Sequence, residues 1–319
     1  ITLVDAAEGP ALGASSLPVG MLSPHVTRSP TPLSRLSALG VADTLTELRR
    51  LVPEGSGWQA CEVDNLGHDP GRWPAALVRP SALVRAWLNE AMNLGSLTCI
   101  WSAPVHRLRL ATSLDLPSTR IWQACTANGQ TLAEAQVVIV AAALGSVQLL
   151  THGEGPVSID DLPLRPVQGQ MSLAALEGPP LAERPQRNDG VFVPRYEDTG
   201  LAPLWPETVW TMGSTYERGA THTQVCVEAH ERNARNLQTM NGMAADRLRQ
   251  DLSQGRLKGW AQVRCASLDR LPLVGAAPDT VALQDLMSSR RGQPRVQLPD
   301  VPRWPGLHLL CAMGSRGLT

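Results

Sequence analysis

Apolar residues recur at helical spacing in two stretches near the start of the chain. Val41, Leu45, Leu48 and Val52 stand three or four residues apart, the interval that lines one face of an α-helix. Thr31 ahead of Pro32 supplies an N-cap and a proline at the first helical position, so a helix is predicted from residue 32. A second helix follows Pro80, with Leu83, Val84, Trp87, Leu88 and Met92 on one face and Gly95 as its stop. Between the two, residues 53–74 carry Gly55, Gly57, Gly67 and Gly71 and read as loop and short strands.

Strand patterns dominate the rest. The chain opens on a strand, Ile1–Val4, that ends in Asp5. Further strands are predicted at 97–101, 105–111 and 119–126, with Asn128-Gly129 as a hairpin turn. Val137–Val140 is a continuous apolar run, the mark of a strand buried on both faces, and Ala141–Gly145 is a tight turn of small residues after it. From 156 to 260 proline is frequent and short strands prevail (167–173, 190–194, 209–212), interrupted by one helix at about 223–240. The last part reads as a strand at 261–264, a turn at 272–275, a variable loop at 279–303 and a strand at 307–311. Gly314-Ser315-Arg316-Gly317 then looks like the start of a helix. Strand–helix elements at both ends flanking a β-rich middle predict an α/β fold assembled from discontinuous segments, with a β-rich domain inserted.

Composition narrows the class. The 319 residues hold 28 basic and 29 acidic side chains, a formal charge of −1, and 43% are hydrophobic. That excludes a dominantly disordered chain and a polycation. No apolar run reaches the length of a membrane-spanning helix. One lysine, Lys258, stands against 27 arginines, and nine of the twelve aromatic residues are Trp. Such bias fits G/C-rich codons, so the arginine excess by itself is no binding signature. The six cysteines form no Cys-x-x-Cys pair, and the seven histidines share no zinc-ligand spacing. A reducing cytosol is the simplest setting. The chain opens on Ile1 inside a strand and stops at Thr319 after a glycine-rich turn, so it is expected to be a piece of a longer protein.

Four features carry candidate chemistry. An acidic residue at the end of a strand, like Asp5, accepts hydrogen bonds from ribose hydroxyls in dinucleotide-binding units; a surface aspartate at a strand end has the same appearance. The glycine loop of such a unit lies about 20 residues earlier, outside this sequence. Ala11–Ser16 is a small-residue loop that a phosphate or flavin can approach closely, or a plain flexible loop. Gly314–Gly317 after an apolar strand suits a helix N-terminus facing negative charge, or a simple strand-to-helix turn. Arg264 and Arg316 offer planar guanidinium groups matched to a carboxylate, though most arginines are solvated. Arg290, Arg291, Arg295 and Arg303 form a basic segment that reads as a solvated loop or an RNA contact.

Several longer stretches carry a resemblance: Pro10–Ser15, Gly169-Gln170-Met171-Ser172, Gly213-Ser214-Thr215-Tyr216-Glu217-Arg218-Gly219, Val263–Gly275 and Gly314–Leu318. In that order the chain resembles the FAD-dependent oxidoreductase module of the bifunctional tRNA wobble-uridine modification enzymes. This is the MnmC group within the glycine oxidase and D-amino-acid oxidase family. The resemblance implies a Rossmann-like FAD-binding domain from 1–52, 75–155 and 261–319, and a substrate domain from 53–74 and 156–260. It implies that Asp5 holds the ribose, that Gly13, Ala14, Ser15 and Ser16 lie along the flavin nucleotide, and that Gly20 and Met21 pass near the ring. Gly314, Ser315, Arg316 and Gly317 would meet the ring, Arg264 and Arg316 would grip the substrate carboxylate, and Tyr216 would line the pocket. No metal is implied.

The implied reaction removes the carboxymethyl group from 5-carboxymethylaminomethyl-(2-thio)uridine in tRNA. It gives the aminomethyl-uridine and glyoxylate in the cytoplasm. A fused or cognate S-adenosylmethionine-dependent methyltransferase is the implied partner. Two other readings stay open: an oxidase of free glycine, sarcosine or D-amino acids, and an inactive fragment unable to hold FAD.

Overall fold

A computed structural model describes residues 1–25, 27–112, 120–151, 162–289 and 296–318. In chain order the first elements are β1 (Thr2–Val4), β2 (Gly20–Leu22), α1 (Pro32–Leu51), β3 (Trp58–Asn65), β4 (Gly71–Val78) and α2 (Pro80–Asn93). There follow β5 (Thr98–Ile100), β6 (Arg107–Thr112), β7 (Arg120–Cys125), β8 (Thr131–Ala135), β9 (Val138–Val140) and α3 (Gly145–Thr151). The middle holds β10 (Leu164–Ala175), β11 (Gln186–Asn188), β12 (Gly190–Glu197), β13 (Thr208–Gly213), β14 (Glu217–Arg218), α4 (Val227–Gln238) and α5 (Gly242–Ser253). The last are β15 (Lys258–Ser267), β16 (Leu273–Pro278), α6 (Thr280–Ser289) and β17 (Arg303–Cys311).

By packing, the chain forms two units. The first comprises Ile1–Gly9, Leu97–Pro166 and Arg264–Ser315; the second comprises Pro10–Ser96, Val167–Val263 and Arg316–Thr319. The expected FAD-binding segments 10–52 and 75–96 therefore pack with the inserted sheet. Packing units and expected functional domains divide the chain at different places.

In the first unit, β1 and β5 pair in parallel, and β9 pairs in parallel with β17, which is antiparallel to β16. A meander of β6, β7 and β8 completes it. The Asn128-Gly129 turn joins β7 to β8, closed by the Thr126 N–H on the Gln130 carbonyl at 2.9 Å. The core gathers Trp122, Val140, Leu150, Ala277, Leu307 and Leu309. The Trp122 indole donates to the Pro305 carbonyl at 2.9 Å, and its ring meets Trp304 edge-on at 6.0 Å, a favoured aromatic geometry.

The second unit is built on a large sheet in the order β14-β10-β13-β12-β11-β3-β4-β2, with β15 also paired to β10. On one part of it, α1 and α2 bury Val41, Leu48 and Leu83 against Leu22, Trp58, Ala76 and Val78. The start of α1 follows from sequence. Thr31 Oγ1 accepts from the Ser34 N–H at 3.1 Å and Ser34 Oγ accepts from the Thr31 N–H at 2.8 Å, a reciprocal cap ahead of Pro32. Elsewhere α4 and α5 bury Leu237, Ala244 and Leu248 against Phe192, Trp210 and Met212. Arg79 joins α2 to the loop after β12. Its Nε donates to the fully buried Asp198 Oδ2 at 2.7 Å, while Tyr196 Oη donates to the same oxygen at 3.0 Å and the Gly200 N–H to Oδ1 at 2.8 Å.

Seven expectations from the residue pattern need correction. Residues 53–74 form most of a long antiparallel hairpin, β3–β4, not short strands. On α2 the buried stripe is narrow: Leu83 is buried but Trp87 and Met92 are exposed. The run Val137–Val140 is not buried on both faces, since Val137 and Ile139 are exposed and only Val138 and Val140 face the core. The segment 272–275 belongs to strand β16 rather than a turn, paired with β17 through Leu273–Cys311 and Val274–Leu310. The loop at 279–303 contains α6, and a helix not anticipated at 242–253 is α5, capped by Asn241 Oδ1 accepting from Ala244 N–H at 3.0 Å. Finally, 314–318 form turns and no helix among the described residues. Arg290, Arg291 and Arg295 of the basic segment, and His152, lie outside the described residues.

Candidate functional site

In the first unit, Asp5 follows β1, and the loop after it is stitched to the loop after β5. The Asp5 N–H donates to the Ile100 carbonyl at 3.0 Å, the Ala103 N–H to the Asp5 carbonyl at 2.9 Å and the Ser102 N–H to the Ala7 carbonyl at 2.7 Å. The exposed carboxylate takes the Ala7 N–H on Oδ1 at 2.8 Å. Its Oδ2 has no partner among the described residues. Backbone and side chain are thus fixed at the carboxyl end of a parallel strand pair, with one anionic acceptor still available.

The same unit assembles the two most distinctive sequence stretches. The Gly314 N–H donates to the Cys265 carbonyl at 2.7 Å, and Ala266 bridges Met313. Gly314 sits at φ +57°, a backbone state that favours glycine. Arg264 Nη1 donates to Ser315 Oγ at 2.8 Å. Behind Arg264, Asp269 Oδ1 accepts from the Leu271 N–H at 2.9 Å and lies 2.9 Å from the Ser267 hydroxyl. These bonds hold the Asp269 carboxyl below its ordinary range. Cys265 and Cys311 are buried, and burial raises both thiols, Cys311 to about 11; they are packing residues rather than nucleophiles. Arg316 follows Ser315 in sequence but is grouped with the second unit.

In the second unit, Gly13 precedes a short 3-10 turn, Ala14–Ser16. Ser16 Oγ accepts from the Trp260 indole at 2.9 Å. Nothing lies within 4 Å of where a Cβ on Gly13 would stand, so the loop backbone is open to approach. Gly20 and Met21 belong to β2, paired with Val78 and Leu77; Met21 packs against the core around Leu77, Val193 and Tyr196.

The stretches 169–172 and 213–219, some forty residues apart in sequence, meet here. Gln170 N–H donates to Thr215 Oγ1 at 2.9 Å and Thr215 N–H returns to the Gln170 carbonyl at 3.0 Å. Gly213 is required: a Cβ there would stand 2.9 Å from the Met171 Cα. Tyr216 is 51% exposed, with the Arg218 guanidinium 5.9 Å from its ring centre.

Residue patterns did not reveal the Trp260–Ser16 bond, the Ser267–Asp269 bracing or the position of Arg187, described below. The Trp260–Ser16 bond and the seat of Arg187 join segments far apart in sequence, whereas the Ser267–Asp269 contact spans two residues and is a local turn.

The residues present fit FAD in part. Asp5 offers a fixed carboxylate acceptor suited to ribose hydroxyls, and the Gly13 loop is unobstructed. The 319 residues contain no Gly-x-Gly-x-x-Gly loop for the diphosphate, so that part of the fit is not found in them.

The family model for FAD-dependent oxidoreductases (DAO) matches residues 71–319. A bifunctional protein for tRNA 5-methylaminomethyl-2-thiouridine biosynthesis, MnmC, from Verminephrobacter eiseniae (strain EF01-2) is 32% identical, over 100% of this chain and 54% of its own length. The protein of that name from Acidovorax sp. (strain JS42) is 30% identical, over 100% of this chain and 51% of its own. The chain therefore spans about half the length of these curated relatives. Among solved structures, glycine oxidase from Geobacillus kaustophilus is similar with a TM-score of 0.64 at 16% identity, over 99% of this chain and 83% of that one. Iminodiacetate oxidase from Chelativorans sp. BNC1 gives 0.63 at 16%, over 99% and 84%. The α/β fold with an inserted sheet is thus the fold of these oxidases. The chain belongs to the DAO family of FAD-dependent oxidoreductases, whose cofactor is FAD.

Proposed function

We propose that this chain is the oxidase part of a bifunctional enzyme of tRNA wobble-uridine modification. On this reading it removes the carboxymethyl group from 5-carboxymethylaminomethyl-(2-thio)uridine, leaving the aminomethyl-uridine and glyoxylate. The observation that carries the reading is the match of the whole chain to proteins named for that pathway. The substrate arm is chemically an N-substituted glycine. FAD, when bound, supplies a hydride acceptor that oxygen can regenerate.

The chain's own residues would orient that arm. Arg264, held by Ser315 at the Gly314 turn, would pair with the carboxylate, and Arg316 would add a second guanidinium. Fixing the carboxylate positions the carbon that loses hydride. A pocket shielded from water keeps the amine neutral by disfavouring its charged form, which the reaction requires. Tyr216 would line the approach of the nucleoside. Asp5 would bind the ribose of FAD, Gly13–Ser16 would follow its nucleotide, and Gly20–Met21 and Gly314–Gly317 would lie near its ring. The proposed FAD-binding segments remain 1–52, 75–155 and 261–319, with 53–74 and 156–260 for substrate.

The remaining half of the relatives' length supports a fused partner module, for which we propose the S-adenosylmethionine-dependent methyltransferase. No helix among the described residues is long and apolar enough to cross a membrane, and a tRNA substrate suits the cytoplasm.

The test uses the complete protein. It is incubated with tRNA bearing the carboxymethylaminomethyl group, and the wobble nucleoside is weighed by mass spectrometry. Conversion to the aminomethyl form is expected. An unchanged uridine, with peroxide released from free glycine or sarcosine, overturns the reading in favour of a small-amine oxidase. The likeness in fold to glycine oxidase favours that second reading.

A further inference from the structure

One cation in the second unit stands in neutral company. Arg187 of β11 is half-buried. Its Nε donates to Asn65 Oδ1 at 3.2 Å, and its Nη1 donates to Ser23 Oγ at 2.6 Å and to the Pro24 carbonyl at 3.1 Å. None of these acceptors carries charge. Other sheltered arginines of the same unit end on carboxylates: Arg79 on Asp198, Arg247 on Asp251, Arg232 on Glu217 and Arg184 on Glu183. Withdrawing a guanidinium from water without a counter-charge is costly, and burial lowers the pKa of Arg187 accordingly.

The arrangement is also rigid. Asn65 is buried, and its Nδ2 donates to the His68 and Asp69 carbonyls at 2.7 Å each. Its single acceptor is thereby aimed at Arg187. Ser23 and Pro24 directly follow β2, so two segments distant in sequence hold the side chain of a third. Nη2, with two N–H donors, makes no hydrogen bond among the described residues. A guanidinium fixed in orientation, with one edge unspent and no acid beside it among the described residues, is built to receive an oxyanion.

We propose that Arg187, seated on Ser23, Pro24 and Asn65, binds an oxyanion of the substrate. The inference rests on the tRNA reading above. That substrate carries oxyanions of two origins, the backbone phosphates and the carboxylate of the wobble arm.

The test measures binding of two tRNAs to the complete protein at several salt concentrations. One bears the carboxymethylaminomethyl arm and the other an unmodified wobble uridine. Wild type, Arg187→Gln and Arg187→Lys are compared. If a phosphate occupies the position, Arg187→Gln weakens both tRNAs by roughly tenfold and lowers the slope of log affinity against log salt by about one. If the arm's carboxylate occupies it, only the modified tRNA is weakened. Arg187→Lys recovers part of the loss in either case, because it restores the charge without the fork. Equal affinities of wild type and Arg187→Gln for both tRNAs overturn the proposal and leave Arg187 a tie between strand and loop, whatever its effect on melting temperature. Turnover is not needed for this readout. A protein that binds tRNA but does not convert it would sink the proposed reaction while still deciding the role of Arg187.

Discussion

The run at 137–140, which contains β9, and the strand β10 invert what their residues advertise. The first is Val-Val-Ile-Val, yet Ile139 is 63% exposed and Val140 alone is buried deeply. The second contains Gln168, Gln170 and Ser172, yet every residue from Val167 to Ala174 is buried. The difference lies in neighbours. β9 is the outer strand of its three-stranded sheet among the described residues, and only the face toward Leu307 and Leu309 meets a core. β10 lies between β13, β14 and β15 and beneath α4, where the side chains of Gln170 and Ser172 find partners. Gln170 Nε2 donates to the Cys226 carbonyl, and the Cys226 N–H returns to Gln170 Oε1, both at 2.8 Å. Ser172 Oγ and His230 Nδ1 share a bond of 2.7 Å, and Asn233 Nδ2 donates to Ser172 Oγ at 2.9 Å. Polar groups tolerate burial when each finds a partner. Hydropathy alone therefore ranks these strands in the wrong order.

The contrast can be pressed hardest at the buried charge of the large sheet's unit. Asp198→Ala strands Arg79 without its carboxylate and should cost about 3–5 kcal/mol, read as a lowered urea midpoint. Next comes the partnered network. Ser172→Ala removes the oxygen shared by His230 and Asn233 and should destabilise by about 1–3 kcal/mol. A loss below about 0.5 kcal/mol would mean the network does not hold β10 in place.

A pH titration sharpens the same point. Burial lowers the His230 pKa below its ordinary 6.5, so the unfolded chain binds the proton more readily. Stability from the neutral ring is complete above the unfolded value and drains away as pH falls through it toward the folded one. Denaturation midpoints should decline below about pH 6.5 in wild type and decline less in His230→Gln. The smallest effect belongs to β9. Ile139→Asn should change stability by within about 0.5 kcal/mol, despite replacing the most hydrophobic residue of the run.

Local chemistry was legible where it is self-contained. Thr31-Pro32 announces the start of α1, Asn128-Gly129 the β7–β8 turn, and Asp5 the end of β1. The stretches at 169–172 and 213–219 stand out in sequence as separate pieces; their pairing through Gln170 and Thr215 emerges only from the sheet order. Where a helix is expected to start after Gly314, residues 314–318 form turns, with the Gly314 N–H on the Cys265 carbonyl and a left-handed backbone at Gly314. Arg187 could not be told from 26 other arginines, since its distinction is the absence of an acid, and that is a property of neighbours brought from residues 23 and 65. The boundary between units was equally hidden: β15 runs from Lys258 to Ser267 as one strand, while the change of packing partners falls between Val263 and Arg264.

The parallel pairing of β3 with β11 also sets a clock. Asp64 and Asn65 pair with Gln186 and Arg187, about 120 residues later. At roughly 5–20 residues per second of synthesis, the β3–β4 hairpin leaves the ribosome some 6–24 s before its neighbour exists. During that interval the outer edge of β3 has unsatisfied backbone groups, a template for wrong partners. Yield in a cell should thus depend on how the nascent chain is chaperoned across this gap, and slowing translation between residues 66 and 185 should lower the soluble fraction more than slowing it after 190.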